Sequence, residues 1–359
     1  MTGEVWAENA LRLLLRRVDE TAEQVGGRFP LYADPADGRW TTTGRGSWTG
    51  GFWAGLLWLR ARHTGLPAHR SAAATATAAL APWAEADTAA RGLILWYGTA
   101  LAEADAAADA LRERAARAAL GALDPVLGLV PWGAALGGPR LRARADGVPG
   151  LVPLLACAGP EGRAAGESHL RRHLDLCLPR DGTRRPVPSW RWDEAGSLWA
   201  AEPDPAPGWT RGEAWLLLAV ADAFAQTGVP ERLTETVELL LDRCALLTGP
   251  LVPPADTGHP EGPVDTSAVA ITAVALLKLS GVPRAAWASA CADRARSVLH
   301  RLASAHLTGP DGPRPAGMLL DGCYDAARGT AVRHELVWGD FFLALGLAAL
   351  LGRADLTRV

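Results

Sequence analysis

Residues 208–224 read GWTRGEAWLLLAVADAF, an apolar run whose first turn carries two indoles, a guanidinium and a carboxylate. A helix at the surface of a protein shows one apolar stripe, whereas this segment is apolar on nearly every side after Trp215. The pattern therefore predicts a helix that other helices enclose. Arg211 and Glu213 are the least easily buried groups of the segment, and they stand where the enclosed helix begins.

The rest of the chain alternates this pattern with a second one. Turns in which proline soon follows glycine, as in TGLP from Thr64 and TGVP from Thr227, indicate short connections between helices. The odd-numbered helices have one apolar stripe opposite charged residues, and the even-numbered ones are apolar nearly all round. The twelve predicted helices span residues 4–25, 49–65, 69–86, 90–104, 107–122, 147–158, 162–178, 209–227, 230–248, 264–281, 283–306 and 335–352.

Six enclosed helices alternating with six amphipathic ones predict an all-α fold, an (α/α)6 barrel in which an outer ring of helices wraps an inner ring. Strand patterns are few, and the helical hairpins share a length range without a strict sequence repeat, which disfavours a solenoid. We expect residues 1–359 to form a single catalytic domain, because the first and last hairpins of such a barrel meet.

Charge and hydropathy exclude several kinds of partner. The net charge is −3, so no basic field attracts nucleic acid. The first residues, MTGEVWAENALRLLLRRVDETAEQ, carry charges through their apolar positions and do not resemble a signal peptide. No stretch reaches the ~18 uncharged apolar residues of a membrane span. We expect a cytoplasmic protein, a monomer or a homodimer, that contacts neither nucleic acid nor membrane.

The cysteines indicate neither disulfides nor a metal site. They are odd in number, far apart and never arranged as CxxC, which favours reduced and mostly buried thiols. They are Cys157, Cys177, Cys244, Cys291 and Cys323.

Polar or aromatic clusters precede or open five of the six enclosed helices. Since the inner helices of such a barrel run parallel, their N-termini gather at one end, where the helix dipoles favour an anion. The clusters are therefore predicted to converge on one cavity. Their ionisable members are Asp87, Asp146, Arg211, Glu213 and Asp265, and their aromatic members are Trp48, Trp53, Trp209 and Trp215.

Each of these residue types has two interpretations. Fifteen tryptophans against five phenylalanines favour a carbohydrate site, because indole faces stack on sugar rings, but indoles also fill the centre of a wide barrel. Asp87, Asp146 and Asp265 are either site carboxylates or helix N-caps. Arg211 opposes the dipole of its helix, so it needs an anionic partner, either a substrate carboxylate or Glu213 and a neighbouring aspartate.

Four segments resemble the unsaturated glucuronyl hydrolases, glycoside hydrolase family 88, and the related family 105. WTGGFWAGLLW from Trp48 is similar to the family's G-F-x-x-G-x-x-W opening, and WTRGEAW from Trp209 to its W-A-R-G-Q-A-W. DTSAVAITAVALLKLS resembles its D-S-S-A-A-A-I-A-A-S, and ELVWGDFFLALGL its closing W-G-D-Y-Y-x-x-E-A-L. The likeness extends over nearly the whole chain and suggests a divergent, actinobacterial-type member.

The resemblance implies an (α/α)6 barrel that removes a 4,5-unsaturated uronic acid from an oligosaccharide without a metal or organic cofactor. In this family an aspartic acid protonates the vinyl ether at C4, water adds at C5, and the hemiketal opens to release the sugar. Asp146, in RADGVPGLVPLLACAG, matches the family's I-D-x-M-M-N-L-P-L-L and becomes the expected acid. Trp209, Arg211 and Trp215 match its substrate-contacting positions.

The chain also departs from the family pattern. Where the family has D-T-H-D-L-G-F, this sequence reads DTAARGL, so Asp87 matches the first aspartate but Ala89 and Ala90 replace the histidine and the second aspartate. The family's histidines between the seventh and eighth helices are also missing. Either Asp87 or Glu213 takes over the lost role, or the barrel acts on another acidic or glycosylated small molecule as a tailoring enzyme. A sugar-binding barrel without catalysis is the third hypothesis.

Overall fold

The computed structural model describes residues 4–178, 185–227 and 231–359, and within these ranges it contains twelve α-helices. Those that agree closely with the predicted positions are α1 (Val5–Val25), α2 (Gly50–Thr64), α5 (Ala106–Gly121), α7 (Gly159–Cys177), α8 (Thr210–Thr227), α10 (Thr266–Ser280) and α12 (Val337–Leu350). Shorter than predicted are α3 (Pro67–Ala78), α4 (Tyr97–Thr99), α6 (Leu151–Ala156), α9 (Glu231–Arg243) and α11 (Ala288–Ala305).

The even-numbered helices form a closed ring. Helix α2 contacts α4, the π-helical turn before α4 contacts α6, and the contacts continue from α6 through α8 and α10 to α12, which contacts α2 again. The odd-numbered helices pack outside this ring. The fold is therefore all-α, an (α/α)6 barrel, as the alternation of helix types predicts.

Burial along the helices explains this arrangement. Every residue from Val337 to Ala348 on α12 is buried, and so is every residue from Thr266 to Leu276 on α10. Helix α1 buries a single stripe and exposes its opposite face, as an outer helix must. Hence the apolar side chains of the inner ring form the core, and the outer helices cover it.

Two helices differ from their predicted bounds for local reasons. Helix α3 ends at Ala78 and not at residue 86, because Pro82 has no N–H to donate to the Ala78 carbonyl. The second inner helix, which is the fourth helix of the chain and was expected over residues 90–104, is a π-helical turn at Gly92–Trp96 continued by the short α4. A Cβ on Gly92 would lie 2.2 Å from the backbone nitrogen of Leu151, so only glycine permits this close approach to α6.

Among the described residues, seven short strands lie between the helices and form two antiparallel sheets. One sheet has the order β2-β1-β7-β6, and the other has the order β3-β4-β5. The strands are β1 (Phe29–Ala33), β2 (Trp40–Thr43), β3 (Arg142–Arg144), β4 (Ser189–Asp193), β5 (Leu198–Ala201), β6 (Gly322–Asp325) and β7 (Thr330–Leu336). Strands β3 and β6 contribute side chains to the cavity described below.

The cysteines are free thiols, and four of the five are buried, Cys157 being the exposed one. Burial raises the pKa of Cys177 to about 12, as it also does for Cys291. None of the helices in the described part of the chain is both long and apolar enough to cross a membrane.

Candidate active site

A cavity of about 750 Å³ lies where the inner helices begin. Trp48 precedes α2, Leu93 belongs to the π-helical turn, Asp146 precedes α6, and Trp209 precedes α8, yet all four line this one space. The predicted convergence of inner-helix starts is therefore present for four helices. The remaining wall includes Trp132, Arg142, Arg144, Asp204, Arg211, Trp215, Asp256, His259, Tyr324, Asp325 and Arg328.

Asp146 lies on the cavity wall in an ion pair with Arg144. The guanidinium donates from Nε to Oδ1 at 2.9 Å and from Nη2 to Oδ2 at 3.1 Å. Both side chains are about four-fifths buried, and the Arg144 guanidinium stacks 4.8 Å from the ring centre of Trp132. Burial opposes the charge of Arg144, but the carboxylates of Asp146, Glu202 and Asp204 together more than offset this effect and raise the pKa of the guanidinium.

A buried histidine of α7, His169, holds the turn that carries Asp146. His169 Nδ1 accepts from the Val130 amide at 3.0 Å, so its Nε2 carries the proton and donates to the Gly147 carbonyl at 3.2 Å. Burial lowers the pKa of His169 well below its usual value and that of His173 to about 4, so both rings are neutral at pH 7. His173 is also almost fully buried, and its Nδ1 donates to the His169 carbonyl at 2.8 Å while its ring lies 4.3 Å from the His169 ring.

Arg211 finds its anionic partner inside the protein. Its Nη1 donates to Asp265 Oδ2 at 2.7 Å and to the Cys323 carbonyl, and its Nη2 donates to the Tyr324 carbonyl at 2.7 Å. Asp265 also accepts from the Ser267 amide and so caps α10. Of the partners that the sequence left open, the structure contains the neighbouring aspartate and not Glu213. Arg211 and Asp265 together hold β6 against the starts of two inner helices.

The aromatic candidates divide into wall and core. Trp48, Trp209 and Trp215 line the cavity, and the Trp48 indole donates to the Tyr324 hydroxyl at 3.2 Å. Trp215 is nonetheless almost fully buried, with its ring 6.2 Å from that of Phe52. Trp53 is buried and is not part of the wall, so the core interpretation of the indoles applies to it.

The two carboxylates expected to replace the missing family aspartate lie off the cavity wall. Asp87 is partly exposed and accepts from Arg140 and from the Ala134 amide. Glu213 is buried and pairs with Arg185 at 3.0 Å, and burial raises its pKa. Their arginine partners, Arg140 and Arg185, lie in loops, and the pattern of helices does not predict the conformation of these loops.

The cavity wall also contains residues that the pattern of helices does not predict. Arg144 and Trp132 come from the strand and loop before α6, and Tyr324 comes from β6, far along the chain from the helix starts that it faces. Arg144 carried a usable signal, since it stands two residues before Asp146 and so was a candidate for the same wall. Tyr324 carried none, because no helix start lies near it in the sequence.

No group of three or more histidine, cysteine, aspartate or glutamate side chains suited to a metal ion occurs among residues 4–178, 185–227 and 231–359.

The comparisons with known proteins give structural neighbours only. No family model matches the sequence, and no curated protein matches it. The unsaturated glucuronyl hydrolase of Bacillus sp. GL1, responsible for the degradation of glycosaminoglycan, has a TM-score of 0.84 and 22% identity over 96% of both chains. An unsaturated glucuronyl hydrolase specific for heparin has a TM-score of 0.84 and 18% identity, over 99% of this chain and 100% of the other.

A third neighbour, the unsaturated glucuronyl hydrolase of Streptococcus agalactiae, has a TM-score of 0.84 and 16% identity, over 99% of this chain and 94% of its own. At these identities the likeness establishes the fold. The chain therefore shares the fold of these unsaturated glucuronyl hydrolases along nearly its whole length.

Proposed function

We propose that this chain is a glycoside hydrolase-like enzyme that removes a 4,5-unsaturated uronyl residue from an oligosaccharide, with Asp146 as the proton donor. The observation that carries the proposal is the place of Asp146 on the wall of an aromatic cavity where inner helices of the barrel begin. The structural neighbours include enzymes named for glycosaminoglycan and for heparin, which are acidic polysaccharides.

The wall of the cavity suits a sugar with a negative charge. Trp48, Trp132, Trp209 and Tyr324 are partly exposed there, and flat aromatic faces pack against the C–H side of a sugar ring. Charged side chains also line the wall and can bind hydroxyl and carboxylate groups. The combination favours an acidic saccharide over a purely apolar ligand.

The proposed reaction is hydration of the vinyl ether, and it needs no cofactor. Protonated Asp146 gives its proton to C4, which leaves a cation at C5 that the ring oxygen stabilises. Water adds at C5, and its surplus proton returns to the Asp146 carboxylate. The hemiketal then opens to a ketone, and the hemiacetal left at C1 collapses to an aldehyde as the next sugar departs with its hydroxyl group.

A second candidate function follows from the positions of Asp87 and Glu213. Because neither lines the cavity, the role of the missing family aspartate falls to another wall carboxylate or is absent. If no wall carboxylate takes this role, the barrel would act as a tailoring enzyme on a small acidic or glycosylated metabolite. A sugar-binding barrel without catalysis is the third candidate, and an assay of turnover separates it from the glycoside hydrolase.

The test is hydrolysis of unsaturated uronyl disaccharides, followed by the loss of ultraviolet absorbance from their conjugated acid. Asp146→Asn keeps the shape of the side chain but removes the proton donor, so turnover should fall by about 10²–10⁴-fold. Circular dichroism should show an unchanged fold.

The matched variant is Asp87→Asn, whose carboxylate lies off the cavity wall and which should keep most of its turnover. An Asp146→Asn variant with more than about a tenth of the wild-type rate would exclude Asp146 as the acid. Absence of turnover in the wild-type protein, with uronate still bound, would favour the tailoring or binding candidates.

A further inference from the structure

The ion pair between Arg144 and Asp146 conflicts with a proton donor at rest. A carboxylate that accepts two hydrogen bonds from a guanidinium is in its ionised form, whereas the proposed reaction begins with protonated Asp146. Within the described residues, Arg144 is the only hydrogen-bond partner of this carboxylate. The pair must therefore separate before Asp146 can act.

We propose that Arg144 is the carboxylate receptor of this site, and that an acidic substrate takes Arg144 from Asp146, which then accepts a proton from solvent. This inference rests on the proposed function, and Arg144 is the residue that would make the enzyme selective for acidic sugars. The exchange balances, because one guanidinium–carboxylate pair replaces another and one proton enters with each substrate. Arg144 would thus recognise the substrate and also prepare the acid.

The chemistry of the substrate requires these two residues to be neighbours. In a 4,5-unsaturated uronate the carboxylate is attached to C5, the atom next to the C4 that receives the proton. The group that binds the carboxylate must therefore lie beside the group that protonates C4. Arg144 meets this condition, since its Nε and Nη2 already contact both oxygens of Asp146.

The other arginines on the wall are held by protein groups. Arg211 donates to Asp265 and to two main-chain carbonyls. Arg142 pairs with Glu202, which is further held by the Ser189 hydroxyl at 2.6 Å. Arg328 is exposed and bridges two aspartates of the wall, Asp204 and Asp325.

The groups around the pair favour proton uptake once Arg144 is occupied. His169, His173 and Cys177 on α7 are titratable groups near the turn of Asp146, and all three are neutral at pH 7. Glu202 and Asp204 act on Arg144 from the side of β5 and the loop after it. A bound uronate would add a second carboxylate beside Asp146, and two carboxylates that share a site raise the proton affinity of one of them.

Calorimetric titration tests the proposal without relying on turnover. Methyl glucuronide has the carboxylate but no double bond, and methyl glucoside is its neutral counterpart. Titrating both at about pH 6 in buffers of different ionisation enthalpy counts the protons taken up on binding. We expect uptake approaching one proton per glucuronide and none with the glucoside. Glucuronide binding without proton uptake would overturn the exchange and leave the proposed function standing.

Variants separate the exchange from a merely structural ion pair. Asp146→Asn no longer competes for Arg144, so it should bind glucuronide about tenfold more tightly and without proton uptake. Arg144→Gln, and Arg144→Lys as the milder change, should weaken glucuronide binding about tenfold or more and leave the glucoside unaffected. The control is Arg232→Gln, an exposed pair with Asp175 away from the cavity, which should change neither quantity.

Weaker or unchanged glucuronide binding by Asp146→Asn, together with normal folding, would contradict the exchange. Failure of glucuronide to bind to the wild type and to Asp146→Asn alike would overturn both the exchange and the acidic-sugar function. A glucuronide affinity that Arg144→Lys leaves unchanged would assign the carboxylate to another group.

Discussion

Arg211 shows how one side chain can join three parts of a barrel. It begins α8, its carboxylate partner caps α10, and its carbonyl acceptors belong to β6. The guanidinium also lies 5.2 Å from the ring centre of Trp209 and 5.5 Å from that of Trp338. Its N–H groups donate to protein atoms, so Arg211 mainly maintains the shape of the cavity and does not select ligands by their charge.

Arg211→Lys should therefore reduce stability and weaken all ligands together. Lysine keeps the charge but cannot bind Asp265 and the two carbonyls with one planar group, and we expect the free energy of unfolding to fall by about 1–3 kcal/mol. Urea unfolding measures this loss of stability, and calorimetric titration with glucuronide and glucoside measures the affinity for each ligand. A loss confined to glucuronide at unchanged stability would instead make Arg211 a substrate-carboxylate receptor.

At the scale of elements, α1, β7 and α12 meet at a buried charge cluster. Arg17 on α1 donates to both oxygens of Glu335 at the end of β7, and Asp340 lies beside them in the first turn of α12. Burial raises the pKa of Asp340 well above its usual value, and the neighbouring Glu335 adds to the effect. Arg17 thus faces two buried carboxylates, with the largely exposed Glu20 also 3.6 Å from its guanidinium, and this excess of carboxylates favours a proton on Asp340 in the folded protein.

This cluster predicts a stability that falls as pH rises. The unfolded chain releases the Asp340 proton at about pH 4, whereas the folded chain keeps it, so folding binds a proton above that pH. The contribution is complete below about pH 4 and is lost progressively as pH rises towards the folded pKa. Asp340→Asn resembles the protonated side chain and should flatten this dependence.

Thermal unfolding of both proteins between about pH 5 and pH 9 measures the difference. The melting temperature of Asp340→Asn should fall less across this range than that of the wild type. Parallel curves would show that Asp340 is ionised in the folded protein throughout, with Arg17 neutralising it as well as Glu335.

At the scale of the whole molecule, the barrel is a closed ring without a natural dividing point. The last inner helix contacts the first, and α1 packs against both α11 and α12, so the two ends of the chain share one set of contacts. The core clusters of buried side chains likewise include residues from α1 through α12. Opening the ring at any hairpin would expose apolar surface on both sides of the break.

We therefore expect one cooperative thermal transition and a strongly helical circular dichroism spectrum. Calorimetry should give equal van't Hoff and calorimetric enthalpies, because the closed ring of contacts offers no boundary at which one part could unfold alone. Two separate transitions, or a spectrum dominated by sheet, would contradict this prediction.

The sequence by itself determined the fold of this protein, because the information is local to each helix. Enclosed and amphipathic helices differ in how apolar residues are spaced along a few turns, as α12 and α1 show. The alternation of the two types, with the turn signals between them, is enough to predict two concentric rings. The predicted helix ends were less accurate where the missing N–H of Pro82 ended a helix and where Gly92 permitted a close approach of two backbones.

The sequence also predicted part of the cavity wall. Because inner helices run parallel, residues at their starts, such as Trp48, Asp146 and Trp209, could be assigned to one end of the barrel, and they line one cavity. Which way a side chain turns from that position was not determined. Trp53 points into the core, and Asp87 and Glu213 pair with arginines outside the cavity.

Only the tertiary structure decided the partners. Asp265 lies 54 residues after Arg211, and the carbonyls that Arg211 binds lie more than 110 residues away. Hydrogen bonds act over about 3 Å, so they depend on how distant segments pack and not on the pattern within one helix. The pairing of Arg144 with Asp146 joins residues two apart, yet its place on the cavity wall is likewise set by packing of the turn against His169.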